Sequence, residues 1–175
     1  MIMKKIVVPV LLFASVALFI LIACNKEKAG NSTTLKIRLT DNPFGAEEVN
    51  VDIEQVRVKF KEDSIGGWAD LQTNAGIYNL LALQNGVDTL LAQGTIPTDE
   101  VKEIRLVLGT DNSIKINGIV YPLTIPSGSE SGLKLKINKR LNGSLDSLLI
   151  DFDAALSILQ TGVGDYKLKP VLKIK

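Results

Sequence analysis

Histidine is absent from this 175-residue chain, and cysteine occurs once, at position 24. The missing histidine removes the Ser-His-Asp and Cys-His catalytic arrangements, histidine metal sites and a histidine pH switch. A single cysteine removes an intramolecular disulfide framework and any cysteine-based metal cluster. Aromatic residues make up only 5% of the chain, with one tryptophan, so little marks a deep sugar-binding cleft. An excess of charge is missing too: 20 basic side chains stand against 19 acidic ones, a net of +1. That argues against a nucleic-acid binder held by phosphate contacts. The length suits one domain of ordinary size, large enough to bury a core without covalent staples.

Apolar residues are plentiful, at 46%, but unevenly placed. Residues 1–23 read MIMKKIVVPVLLFASVALFILIA, with Lys4 and Lys5 ahead of an almost wholly apolar run. Such a segment is a signal peptide or a membrane anchor. Leu21-Ile22-Ala23-Cys24 resembles the bacterial lipobox, which has leucine three before the cysteine and a small residue one before it. The resemblance implies a diacylglycerol on the Cys24 thiol, cleavage just before it and acylation of the new N-terminus. The plain alternative is a free cysteine ending a transmembrane helix. Several acyl chains hold a protein stably on a bilayer, each buried methylene contributing about 0.8 kcal/mol. Asn25 stands where an aspartate would signal inner-membrane retention, which tilts the expected address to the outer membrane. Residues 24–33 are polar and carry Gly and Ser, as a flexible tether does. Removing residues 1–23 takes away two lysines and no acid, leaving 18 basic against 19 acidic side chains.

Residues 34–175 read as one all-β domain. Leu35, Ile37 and Leu39 alternate with Lys36 and Arg38 as in a half-buried strand. Asp41-Asn42-Pro43 supplies turn chemistry after it. Val49, Val51 and Ile53 alternate, the phase slips at Glu54-Gln55, and it resumes at Val56, Val58 and Phe60. A slip of one residue flips every side chain, so the spacing predicts a bulge within a strand over about 49–61. A short return strand follows over 68–71, then an apolar run over 77–83. Val87, Leu90 and Leu91 are spaced as on a short helix over 87–92. A strand is expected over 101–108. Asn117-Gly118 between apolar flanks predicts a type I′ hairpin. Further strands are expected at about 132–137, 146–152 and 166–174, the last at an edge or bulged because Pro170 cannot donate to a ladder. Eight to ten short strands with turn signals suggest a two-sheet sandwich, Ig-like or prealbumin-like, with one short helix; a closed barrel is the alternative.

From about residue 34 the chain resembles domain of unknown function 4382, a family of extracytoplasmic proteins. The resemblance rests on Leu39-Thr40-Asp41 with Pro43, Val49, Val51, Trp68 and residues 79–86, NLLALQNG. It continues through Ile96-Pro97, Ile104-Arg105-Leu106, Pro126-Ser127-Gly128 and Ser131-Gly132-Leu133-Lys134. It ends on Asp151-Phe152-Asp153-Ala154, Ser157-Ile158, Gly162, Gly164 and residues 166–170, YKLKP. Thr98 to Val101 depart from the small residue, glycine and tyrosine usual after the proline. The resemblance implies a β-sandwich and assigns no activity.

Several motifs carry candidate chemistry. Ser131-Gly132-Leu133-Lys134 matches S-x-x-K, but that chemistry needs serine and lysine one helical turn apart, and this segment alternates as a strand. Asp151 and Asp153, two apart on a strand, share a face, and Asp41 ends an early strand. Together they suit a Ca²⁺ site, or else a solvated face, or pairing with Arg38, Arg105 or a turn amide. Paired carboxylates also hydrolyse glycosides. Trp68 is either a stacking platform for a ligand or part of the core. Gly162-Val163-Gly164 lacks a third glycine and reads as a turn. Asp63-Ser64-Ile65, Asp88-Thr89-Leu90 and Asp146-Ser147-Leu148 resemble a short bacterial O-glycosylation sequon, with Ser64, Thr89 and Ser147 as acceptors, and equally read as turns. Lys134, Lys136, Lys139 and Arg140 cluster, as do Lys167, Lys169, Lys173 and Lys175, either to solvate and guard an edge strand or to contact anionic lipid or polysaccharide.

The expected protein is therefore a non-enzymatic envelope lipoprotein, bound to the membrane through Cys24, with no cofactor. Its domain binds a glycan or protein or builds the envelope. The alternative is a Ca²⁺-dependent or carboxylate-based hydrolase of envelope glycans.

Overall fold

A computed structural model describes residues 32–41, 45–60, 67–96, 100–126 and 132–175. Residues 1–31, on which the expected signal segment, Cys24 and most of the expected tether fall, lie outside the described residues, as do Ser64 and Ser131. In chain order the strands are β1 (Thr33–Thr40), β2 (Glu48–Lys59), β3 (Trp68–Asp70), β4 (Gln72–Thr73), β5 (Gly76–Asn79), β6 (Thr89–Ile96), β7 (Glu100–Leu108), β8 (Ser113–Ile116), β9 (Ile119–Thr124), β10 (Leu133–Arg140), β11 (Leu145–Phe152), β12 (Ile158–Gly162), β13 (Asp165–Leu168) and β14 (Leu172–Ile174). A 3₁₀ turn (Leu80–Leu83) follows β5, and a four-residue helix α1 (Ala154–Ser157) follows β11.

Two sheets form the sandwich. The five-stranded sheet runs β14-β11-β1-β6-β4. The nine-stranded sheet follows the path β10-β7-β2-β8-β9-β13-β12, with β3 and β5 also on β2. The core lies between them. Leu35, Ile37 and Leu39 of β1 and Leu148, Ile150 and Phe152 of β11 meet Val49, Val51, Ile53, Val56 and Val58 of β2 with Ile104 and Leu106 of β7. Burying one such side chain stabilises the fold by roughly 1.5–3 kcal/mol.

The alternation of β2 explains its role. Its inward residues are odd-numbered up to Ile53 and even-numbered from Val56, and its pairing with β7 shifts between Ile53 and Gln55. The bulge falls where the phase slip predicts it. At that bulge β2 changes partners: its first half pairs with β5 and β8, its second half with β3 and β7. The Asn117-Gly118 turn also forms as expected. Its residues have φ of 51° and 76°, and it joins β8 to β9.

Two expectations are corrected. Residues 87–92 form no helix: β6 begins at Thr89 and pairs antiparallel with β1. Its register shifts between Ile37↔Ala92 and Arg38↔Leu90, leaving Leu91 as the extra residue. The bulge turns both Leu91 and Ala92 inward, whereas Val87 is exposed, so the helical spacing of Val87, Leu90 and Leu91 does not mark one buried face. The short helix lies instead at Ala154–Ser157, where the Asp153 side chain accepts from the Leu156 N–H. The last strand is also two strands. Pro170 sits between β13, in the nine-stranded sheet, and β14, at the edge of the five-stranded one. A residue without an N–H suits the point where the chain leaves one ladder for another.

Replacing Gly118 by valine is expected to lower the unfolding free energy by about 1–2 kcal/mol, because the position needs positive φ. Urea denaturation of the full chain measures this, and unchanged stability would contradict the I′ geometry.

Candidate functional site

Two places gather polar chemistry. The first is a corner where strand ends meet. β1 and β11 run parallel, so both finish at the same end of the sheet, with Thr40 opposite Asp151. The Asp41 carboxylate, buried, accepts the Ala154 N–H at 2.9 Å and the Gln84 side-chain amide at 3.2 Å. The Asp41 N–H donates to Leu83 O at 3.1 Å. Asp153 caps α1 and takes the Lys173 ammonium at 3.3 Å. The Ser157 hydroxyl donates to Asp153 O and accepts the Val171 N–H at 2.8 Å.

Asp151 is the most enclosed of the three carboxylates, at 0% exposure. Lys173, opposite it on β14, and Lys175 each reach its Oδ2 at 3.2 Å. Neither oxygen has an aligned hydrogen bond, so the two ion pairs neutralise it. A buried carboxylate needs such compensation, because dehydrating an uncompensated charge costs several kcal/mol. The Asp151 carboxylate beside it, and secondarily that of Asp153, hold the Lys173 ammonium protonated above the ordinary lysine range.

The structure thus brings Asp41, Asp151 and Asp153 to one corner. Their described partners are backbone amides, a glutamine and lysines. Arg38 pairs elsewhere, with Asp88, and Arg105 pairs with Glu103 at 3.1 Å. Among the described residues no group of three or more His, Cys, Asp or Glu side chains is arranged to hold a metal ion. Sequence reading missed Lys173 and Lys175 as the partners, although their alternation with Leu172 and Ile174 was visible.

Trp68 is half-buried on β3. The Arg105 guanidinium lies 4.2 Å from its ring centroid and that of Arg57 lies 5.5 Å away. Two cations therefore already use the ring's electron-rich surface. Tyr121 stands beside Tyr166, with centroids 5.2 Å apart. Thr89 is half-buried at the start of β6, whereas Ser147 is exposed on β11. Leu133 and Lys134 lie on β10, so the second half of the S-x-x-K match is strand.

The second place is the seam between the sheets. β10 is the last strand of the larger sheet and β14 the last of the smaller, and between them lies an open groove of about 660 Å³. Leu135 and Ile137 of β10 and Leu172 and Ile174 of β14 form its apolar walls. Lys136, Lys139, Arg140 and Lys173 line it as well, and no acidic residue does. The pairing with β7 shifts register between Lys136 and Lys139, and Asn138 there has φ 47°. Lys134 and Lys136 lie opposite Arg105 and Glu103 on one exposed row, whereas Lys139 is half-buried opposite the core residue Val101.

The model of the family described as Domain of unknown function (DUF4382) matches residues 32–170. The chain belongs to that family. The DUF4382 match contains Asp41, Asp151, Asp153 and the β10 lysines, and Lys173 and Lys175 follow it. No curated protein and no solved structure matches the chain. Among the described residues no helix is long and apolar enough to cross a membrane.

Two outcomes follow for the corner. Asp41→Ala leaves the buried Ala154 N–H without its acceptor and is expected to cost about 1–3 kcal/mol in chemical denaturation; a neutral result would remove Asp41 from the cap. The raised folded pKa of Lys173 means that its contribution is complete below the unfolded lysine value and is lost as pH rises through the folded one. The stability gap between the parent and Lys173→Met is therefore expected to close above about pH 10. Thermal melts across that range check it, and a constant gap would show that Lys173 is not linked.

Proposed function

We propose that this DUF4382 protein is a lipid-anchored protein of the cell envelope, bound through Cys24, whose domain is a non-enzymatic binding or envelope-structural module. The lipobox-like Leu21-Ile22-Ala23-Cys24 and the polar tether support the anchoring. The observation that carries the binding reading is the seam, where two strand edges frame an apolar groove with a basic lining. Loops and edges on a rigid sandwich are where such a fold meets partners. The absent Asp at position 25 favours the outer membrane. The competing reading is a Ca²⁺-dependent or carboxylate-based hydrolase of envelope glycans. It must use Asp41, Asp151 and Asp153, whose described contacts hold strand ends together.

The anchor is tested by membrane fractionation and intact mass of the parent and Cys24→Ser. The parent is expected in the membrane fraction with the mass of attached acyl chains, and the variant without that mass. Equal masses in the two proteins, beyond the residue change itself, would overturn lipidation.

A further inference from the structure

We propose that β10 takes up an extended acidic peptide segment as an added strand, with the seam as its binding groove. This rests on the binding-module reading above and names the class of partner. β10 has β7 on one side and no strand on the other among the described residues, so one row of its backbone N–H and C=O groups is open to pairing. A strand laid there presents alternate side chains to opposite faces. One set meets the apolar walls, Leu172 and Ile174 across the groove and Leu135 and Ile137 beside it. The other set lies alongside the exposed Lys134 and Lys136, and Lys139 adds its charge to the groove lining. None of these three lysines makes an ion pair within the described residues. The complementary sequence therefore alternates apolar and acidic residues.

Charge also decides against other occupants. A second copy presenting its own β10 would oppose lysine to lysine, and like charges directly across a pair of strands are destabilising. An anionic polysaccharide matches the lysines but supplies neither the ladder of amide hydrogen bonds nor the apolar side chains for the walls. β14 is a poorer ladder, since it has three residues, and its Lys173 with Lys175 just after it already neutralises Asp151. Strand addition of this kind takes affinity from the main chain and specificity from alternate side chains.

The test uses the full chain in detergent and a fluorescent synthetic peptide, as long as β10, alternating valine and glutamate. Anisotropy at low salt is expected to show saturable binding. The Lys136→Glu/Lys139→Glu variant should bind about tenfold more weakly, with its fold checked by circular dichroism. If that variant does not fold, a valine–lysine peptide on the parent chain replaces it and is expected not to bind. Methylating alternate backbone nitrogens of the valine–glutamate peptide should abolish binding. No saturable binding, or equal binding of the methylated peptide, overturns strand addition. Polygalacturonate binding in place of the peptide also overturns it, while leaving the binding-module reading standing. Cys24→Ser fractionation is independent of all these outcomes.

Discussion

The parallel pairing of β1 with β11 is the constraint on which the rest of this domain depends. It joins Thr34 to Leu145 and Thr40 to Asp151 across more than half of the chain. Antiparallel neighbours would have finished at opposite ends. Parallel ones finish together, which places the turn after β1 beside the start of α1. Only then can Asp41 accept the Ala154 N–H, while Thr40 beside it donates to Leu83 O. The Leu80–Leu83 turn, the end of β1 and the start of α1 are thus fastened at one corner. The cost is kinetic, since contacts of large sequence separation must close long loops before they stabilise anything.

That corner also sets how the two sheets meet. β11 needs a neighbour on its outer side to cover Asp151, and β14 is that neighbour. To reach it the chain leaves β13 in the other sheet and crosses at Pro170. The crossing brings β14 alongside the far edge of the larger sheet, where β10 lies. The groove is therefore a by-product of neutralising a buried carboxylate. Its apolar walls are simply the inner faces of two edge strands that do not close on each other.

Features written in local spacing were legible in the sequence. The phase slip at Glu54-Gln55 marked the bulge in β2, and Asn117-Gly118 marked its hairpin, because a period of two and a positive-φ turn are properties of neighbouring residues. The 87–92 segment misled because Val87, Leu90 and Leu91 have helical spacing by accident: of the three only Leu91, the bulge residue, is buried. Alternation through Tyr166, Leu168, Leu172 and Ile174 suggested one strand, since alternation cannot tell that its two halves belong to different sheets. Asp41, Asp151 and Asp153 were identifiable as a group, but their partners were not. Those depend on a parallel pairing that no short window contains.

Asp151 and its two lysines tie the interior of the domain to its last strand. A cut anywhere before Leu172 removes β14, Lys173 and Lys175 together and leaves a carboxylate in the interior with no counter-charge. The molecule then has to admit water to that corner or protonate the acid, and either loosens the β1–β11 pair beside it. Proteolytic trimming of a short edge strand is thereby felt at the centre of the sheet.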